Sequence, residues 1–400
     1  MVKKTYIISA KRTPIGKLAG KLAPVRVDDL LALVLRNIRE SLTFDPKLVD
    51  DIIVGCANQA GEDNRNLARM SLILAGFPYE VPGTTINRLC GSSLDALIDG
   101  HARIQAGIAD CLIIGGAESM TRGPYVLSKA KEGFDRDQKM YDTTFGWRFK
   151  NPNMEKIFPL FGMGETAEEV ATLLKISRAE QDQFALQSHL KAAAAYARGD
   201  FNDEIIPVTV QLKKDSYVFT QDECIRADTS LEALTKLQPV FKKDGSVTAG
   251  NSSPMNDGAS ALLMVSEEFL NTHKLNPIME VTGASVRGVH PNTMGLGPVA
   301  AVNLLCKKFN KKITDFDSTE LNEAFAAQAL GCIKELQLDP AKVNLNGGAI
   351  ALGHALGSSG TRIATTLAHQ MNKNKNIKEG LATMCIGVGQ GIAVSFRNCK

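Results

Sequence analysis

The chain has one tryptophan and six histidines in 400 residues, and nowhere does it hold the about 18 uninterrupted apolar residues that a membrane-crossing helix needs. An excess of one charge is also missing. Forty-six basic against 43 acidic side chains leave +3, which gives no footprint for nucleic acid or an anionic membrane surface. No two of the eight cysteines stand as C-x-x-C, so zinc ribbons and redox pairs have no basis. A chain this long needs no disulfide staples. The opening residues hold only one short apolar run, Tyr6 to Ala10, before charge returns, so no secretory signal is expected. These absences point to a soluble protein of the reducing cytoplasm. No G-x-G-x-x-G follows the first strand pattern, which argues against a nicotinamide-dependent dehydrogenase.

Four hundred residues exceed one small core, so two or three packed units are expected. The first 120 residues alternate strand and helix patterns. Strands are expected at Thr5 to Ala10, Asp51 to Cys56, Thr84 to Arg88 and Cys111 to Ile114, with helices at Asp28 to Ser41, Asn66 to Ala75 and Gly91 to Ala106. Apolar strands between helices imply a sheet covered on both faces. The last 130 residues repeat the alternation. Strands are expected at Met279 to Ala284 and Ser318 to Leu321, and a hairpin at Ala382 to Cys385 and Ile392 to Phe396. Helices are expected at Val299 to Phe309, Phe325 to Leu336 and Ser359 to Met371.

The two ends also rhyme. Gly91-Ser92-Ser93 and Gly357-Ser358-Ser359 each open a helix that leads to an apolar strand and then a Gly-rich segment, GGAES in one and GVGQG in the other, both read as turns. The reading is a duplicated α/β fold, with an N-terminal half over 1–270 and a C-terminal half over 271–400. An inserted loop domain at about 121–250 would act as a lid or substrate-facing element. Within it, Ser177 and Glu180 form a capping box for a helix from Arg178 to Arg198.

Reactive side chains fall at the joints of this pattern. Cys90 lies between a short strand and a helix, where free N–H groups and the helix dipole favour a thiolate; a buried structural cysteine fits the spot as well. Cys385 ends a strand, just before glycines whose amides can face an oxyanion. His354 sits in a glycine-dense loop before a helix. Asn322 and Glu323 follow a strand and precede a helix, as functional groups or as helix caps. Cys90, His354 and Cys385 thus form a Cys–His–Cys set on loops of an α/β fold, where ligands collect at strand ends.

Six segments in order, NRLCGSS, GGAESM, TAGNSSPMNDGA, LNEAFA, NGGAIALGH and CIGVGQG, resemble the thiolase family along essentially the whole chain. The resemblance implies a five-layer α-β-α-β-α fold and an enzyme that makes or breaks 3-oxoacyl-coenzyme A. It implies an acylated nucleophile at Cys90, a proton-exchanging cysteine at Cys385 and an activating histidine at His354. Asn322 would hold water in an oxyanion site, and the amides of Cys90 and Gly387 would form a second one. Arg226, Ser253, Ala324 and Phe325 would line the coenzyme A site, and Met163 would face substrate. Coenzyme A is then a co-substrate, with no metal and no permanently bound cofactor, and a homodimer or homotetramer is expected.

Segments 55–66 and 142–149, LEALTKLQPV and MCIGVGQG are most similar to thiolases acting on 3-oxoadipyl-coenzyme A. Arg148 is the side chain expected to meet a distal carboxylate, unless it serves only the surface or an interface. Acetoacetyl-specific members carry histidine where this chain has Gly162. Ala355 replaces the usual proline after the histidine, and CGSS replaces the CASG or CGSG often seen at the nucleophile. Competing readings are a broad 3-ketoacyl-coenzyme A thiolase, an acetoacetyl-specific one, and a silent acyl-coenzyme A-binding relative. A ketoacyl synthase would more often pair one cysteine with two histidines.

Overall fold

The structure, a computed structural model, describes residues 3–400. In the first part of the chain the strands are β1 (Thr5–Arg12), β2 (Gly16–Lys17), β3 (Asp51–Gly55), β4 (Gly83–Ile86) and β5 (Cys111–Ser119). Two small hairpins follow, β6 (Tyr125–Leu127) with β7 (Met140–Asp142), and β8 (Val208–Gln211) with β9 (Ser216–Phe219). Then come β10 (Asn256–Ser266), β11 (Met279–Gly288), β12 (Ser318–Leu321), β13 (Glu379–Ile386) and β14 (Gln390–Asn398).

The main sheet runs β12-β13-β14-β11-β1-β10-β5-β3-β4, with β2 on β10. Its two wings share one pattern. On one, β3 is parallel to β5, and β5, β10 and β1 are successively antiparallel. On the other, β12 is parallel to β13, and β13, β14 and β11 are successively antiparallel. The counterpart of β4 is reduced to a single parallel bridge, Thr319 to Val343. The wings join through the short β1–β11 pairing, Thr5 to Val281 and Ile7 to Met279.

Between the wings lie two helices, Ser92–Gln105 and Ser359–Lys373. Leu94, Leu97 and Ile104 of the first and Ile363, Leu367 and Met371 of the second share one apolar core with Ile53, Ile114, Met384 and Ile392. The second helix is covered nearly all round, which explains buried Thr361, Thr365 and Thr366 on it. Helices Val27–Ser41 and Leu67–Leu74 cover the outer face of one wing, and Gly297–Phe309 and Ala326–Leu336 that of the other. This is the five-layer duplicated α/β arrangement. Among the described residues no helix is long and apolar enough to cross a membrane.

Two expectations need correction. GGAES is not a turn, because β5 continues through Gly115 and Gly116 to Ser119. A Cβ on Gly116 would collide with the carbonyl of Gly357 and meet Ser93 Cβ at 2.6 Å, so glycine here permits close packing of backbones rather than a reversal. Asn256–Ser266 was not anticipated as a strand, although it is buried throughout and central to its wing.

Candidate active site

A cavity of about 800 Å³ opens at the carboxyl ends of β5 and β13, and Cys90, His354, Cys385 and Gly387 all line it. Each is placed by a separate joint in the chain. Cys90 follows Leu89, which is held at φ +48°, and precedes the helix Ser92–Gln105. Cys385 lies one residue before the end of β13, and the reversal into β14 holds Val388 at φ +60°. A left-handed β-branched residue is strained by about 1–3 kcal/mol, and such strain persists only where the surroundings impose it.

The two sulfurs lie in contrasting surroundings. Burial pushes the Cys90 thiol up to about 11, while the backbone amides of Gly387 and of Cys90 itself pull the other way. The sequence reading has the helix terminus favour a thiolate; here desolvation outweighs the amides, so the resting group is a thiol. Cys385 is pushed well above its ordinary value by burial, by Cys90 and by Cys332. A thiol nucleophile here therefore needs a base.

His354 can be that base. Burial, reinforced by the Arg362 charge, lowers its pKa to about 3, so the ring is neutral near pH 7. Its tautomer follows from its neighbours. Ser359 Oγ lies 2.6 Å from Nδ1 and 2.8 Å from the carbonyl of Ala355. The single hydroxyl proton goes to the carbonyl, which can only accept, so Nδ1–H donates to Ser359 and Nε2 keeps its lone pair. The loop itself is anchored by the His354 amide donating to Asn256 Oδ1 at 2.8 Å.

Asn322 sits behind the ring, fully buried, with Nδ2 3.5 Å from both ring nitrogens. That is a contact at the limit of a hydrogen bond. Its Oδ1 accepts from Arg362 Nη2 at 3.4 Å, which turns the amide nitrogen toward the histidine. Arg362 is itself buried beside Glu320, 3.7 Å away, whose pKa burial pushes up to about 7. Neither Asn322 nor Glu323 caps the following helix. Glu323 instead accepts from Ser188 Oγ at 2.6 Å, Asn344 Nδ2 at 2.8 Å and the amide of Ile350 at 3.2 Å.

Arg226, Ser253, Ala324, Phe325 and Met163 also line the cavity. Met163 and Phe241 pack with Ala324, Phe325 and Cys385. Sequence reasoning missed Glu118. Its carboxylate accepts from the amides of Ala57 (3.0 Å), Asn58 (3.1 Å) and Gly357 (2.8 Å), tying the loop after β3 to the loop that carries His354. A lone acid in the apolar, glycine-rich CLIIGGAES was the available signal.

Residues 5–268 match the family model described as thiolase, N-terminal domain, and residues 275–398 that described as thiolase, C-terminal domain. A beta-ketoadipyl-CoA thiolase of Pseudomonas knackmussii is 50% identical over 398 residues, 99% of each chain. A 3-oxoadipyl-CoA/3-oxo-5,6-dehydrosuberyl-CoA thiolase of Escherichia coli is 50% identical over 397 residues, covering 98% of this chain and 99% of that one. The solved structure of human mitochondrial 3-ketoacyl-CoA thiolase in complex with CoA superposes with a TM-score of 0.92 at 38% identity, covering 100% of this chain and 98% of that chain.

Proposed function

Because the chain belongs to the thiolase family of acyltransferases, we propose that it cleaves 3-oxoadipyl-coenzyme A with coenzyme A, or runs the reverse condensation, through a thioester on Cys90. The observation that carries the reading is the gathering of Cys90, neutral His354 and Cys385 around one cavity. The substrate rests on the half-identical relatives named for 3-oxoadipyl-coenzyme A.

In the proposed reaction His354 Nε2 takes the Cys90 proton as the sulfur attacks the 3-oxo carbonyl. The C2–C3 bond breaks, and the leaving acetyl-coenzyme A carries its charge as an enolate. The protonated histidine, with the Asn322 amide packed against its ring, faces the enolate oxygen, and the Cys385 thiol gives its proton to C2. The second coenzyme A thiol then attacks the acyl-Cys90 thioester and its proton restores Cys385. The amides of Cys90 and Gly387 hold the tetrahedral oxyanion, and Cys90 leaves with the proton kept on His354. Arg226, Ser253, Ala324 and Phe325 form the wall for coenzyme A, and Met163 faces the reacting acyl group. The enzyme works without a resident cofactor, as a homo-oligomer in the cytoplasm.

The test is thiolysis of 3-oxoadipyl-, acetoacetyl-, 3-oxohexanoyl- and 3-oxodecanoyl-coenzyme A, with mass mapping of the trapped intermediate. The diacid should have the highest specificity constant, and the acyl mass should lie on Cys90. Preference for the long neutral chain would replace the substrate by a broad 3-oxoacyl range. An acyl mass on Cys385 with Cys90 free would sink the assignment of the nucleophile.

A further inference from the structure

Three cations line the cavity, Lys17, Arg148 and Arg226, and they are not equivalent. Lys17 and Arg226 also border a smaller adjoining pocket with Glu223, which comes within 4.0 Å of the lysine. Arg148 lies elsewhere. Its Nη1 donates to the carbonyl of Thr143 at 3.0 Å, and its Nη2 lies 3.2 Å from Asn58 Oδ1 and 3.4 Å from the Asn58 carbonyl. The amide of Asn58 in turn bonds Glu118, whose charge is felt by Cys90. This cation is therefore tied through Asn58 to the Glu118 clamp, which lines the same cavity as Cys90.

Every acceptor around Arg148 is a neutral oxygen. Among the described residues it pairs with no carboxylate, and its Nε–H has no partner. The side chain is nonetheless held. Asn58 Nδ2 bonds Thr143 Oγ1 at 3.2 Å, Thr143 bonds the Pro124 carbonyl at 2.7 Å, and adjacent Trp147 bonds the Phe161 carbonyl at 2.9 Å. A positioned guanidinium with an unpaired Nε–H, in a cavity also lined by Phe145, Trp147, Phe158 and Phe161, suits a carboxylate that must leave water.

Chemistry gives that carboxylate a second significance. Cleavage of a 3-oxoadipyl chain leaves succinyl on Cys90, with a free carboxylate two methylenes from the thioester carbonyl. Such a carboxylate can attack that carbonyl. A C–O bond forms, the C–S bond breaks, Cys90 departs as a thiolate, and water then opens the cyclic anhydride to succinate. Well-placed intramolecular reactions reach effective molarities on the order of 10⁵ M or more, so this side path competes with coenzyme A unless the chain is kept extended.

Resting on the diacid reading above, we propose that Arg148 grips the distal carboxylate of the acyl chain. By holding the chain extended, it also protects succinyl-Cys90 from closing on itself.

The experiment compares wild type, Arg148→Gln and Arg148→Lys on 3-oxoadipyl- and 3-oxohexanoyl-coenzyme A, measuring specificity constants and the ratio of free acid to acyl-coenzyme A formed. In Arg148→Gln the diacid constant should fall about 100-fold more than the neutral one. Free succinate should rise against succinyl-coenzyme A, while butyrate stays at background. The lysine variant should recover part of the diacid preference. Neutral-chain turnover reports whether each variant is folded. A wild-type diacid preference that survives in Arg148→Gln, with both substrates slowed alike, makes Arg148 only a brace for its loop. That result overturns the proposal and leaves the substrate reading intact. A wild-type preference for the neutral chain overturns both. Preference lost without extra succinate refutes the protective role alone.

Discussion

Glu118 and Cys385 occupy the same place in the two wings. β3 pairs with β5 up to Gly55 opposite Gly116, and β12 pairs with β13 up to Leu321 opposite Thr383; two residues farther on stand Glu118 and Cys385. By the same register Cys56 matches Asn322. One position thus holds a carboxylate tied to three backbone amides, and its double holds a thiol facing the cavity. Burial raises both pKa values, Glu118 to about 7 and Cys385 well above the usual thiol range. The first wing fixes loops with its strand-end acid, and the second places a proton-bearing group there.

Four measurements sharpen or break this contrast. The largest effect is expected at the reactive member. Cys385→Ala should lower turnover on the order of 10³-fold. The variant should still be acylated on Cys90, yet fail to exchange the methyl protons of acetyl-coenzyme A in deuterated water. Normal exchange would remove Cys385 from the proposed chemistry. Next comes the Asn322–Cys56 pair. Asn322→Ala should cost about 10²–10³-fold in kcat with little change in coenzyme A affinity, whereas Cys56→Ala should leave kcat within about threefold. Equal losses at both positions would mean that the register, not the amide, matters.

The third concerns proton affinity. With Cys90 raised to about 11 and His354 lowered to about 3, the free enzyme holds a neutral thiol and a neutral imidazole between those values. The rate of Cys90 alkylation by iodoacetamide should therefore climb steadily from pH 7 to 10. A plateau reached by pH 7 would show a preformed thiolate. The smallest effect belongs to the supporting member. Glu118→Gln puts an amide N–H against backbone N–H donors and should destabilise the fold by about 2 kcal/mol, read from the denaturant midpoint. An unchanged midpoint would show that the clamp contributes nothing.

Much of this was legible along the chain because it is local. The capping box at Ser177 and Glu180 marked the helix Arg178–Arg198 to the residue. The Cys–His–Cys set stood out because each member lies beside glycines that break a periodic pattern. Features that depend on distant partners were hidden. Gly115 and Gly116 read as a turn, since nothing nearby shows that Ser93 and Gly357 press against them. Asn256–Ser266 begins with NDGAS, a loop-like start, and is a strand only because β1 and β5 flank it. Arg362 and Ser359 look like surface residues of a polar helix until the two wings of the sheet enclose them. The base strength of His354 was invisible for the same reason.

An amide that faces the Cys90 sulfur belongs to Gly387, and the histidine that lines the same cavity lies at position 354, so this thiol is made early in translation and its neighbours late. A ribosome that has finished only the first wing has made a cysteine with no base and no second amide. The last strand, Gln390–Asn398, is needed to hold the Gly387 turn against β11 and β13. The cavity that gathers Cys90, His354 and Gly387 is therefore assembled only when the second wing has been made and the sheet has closed.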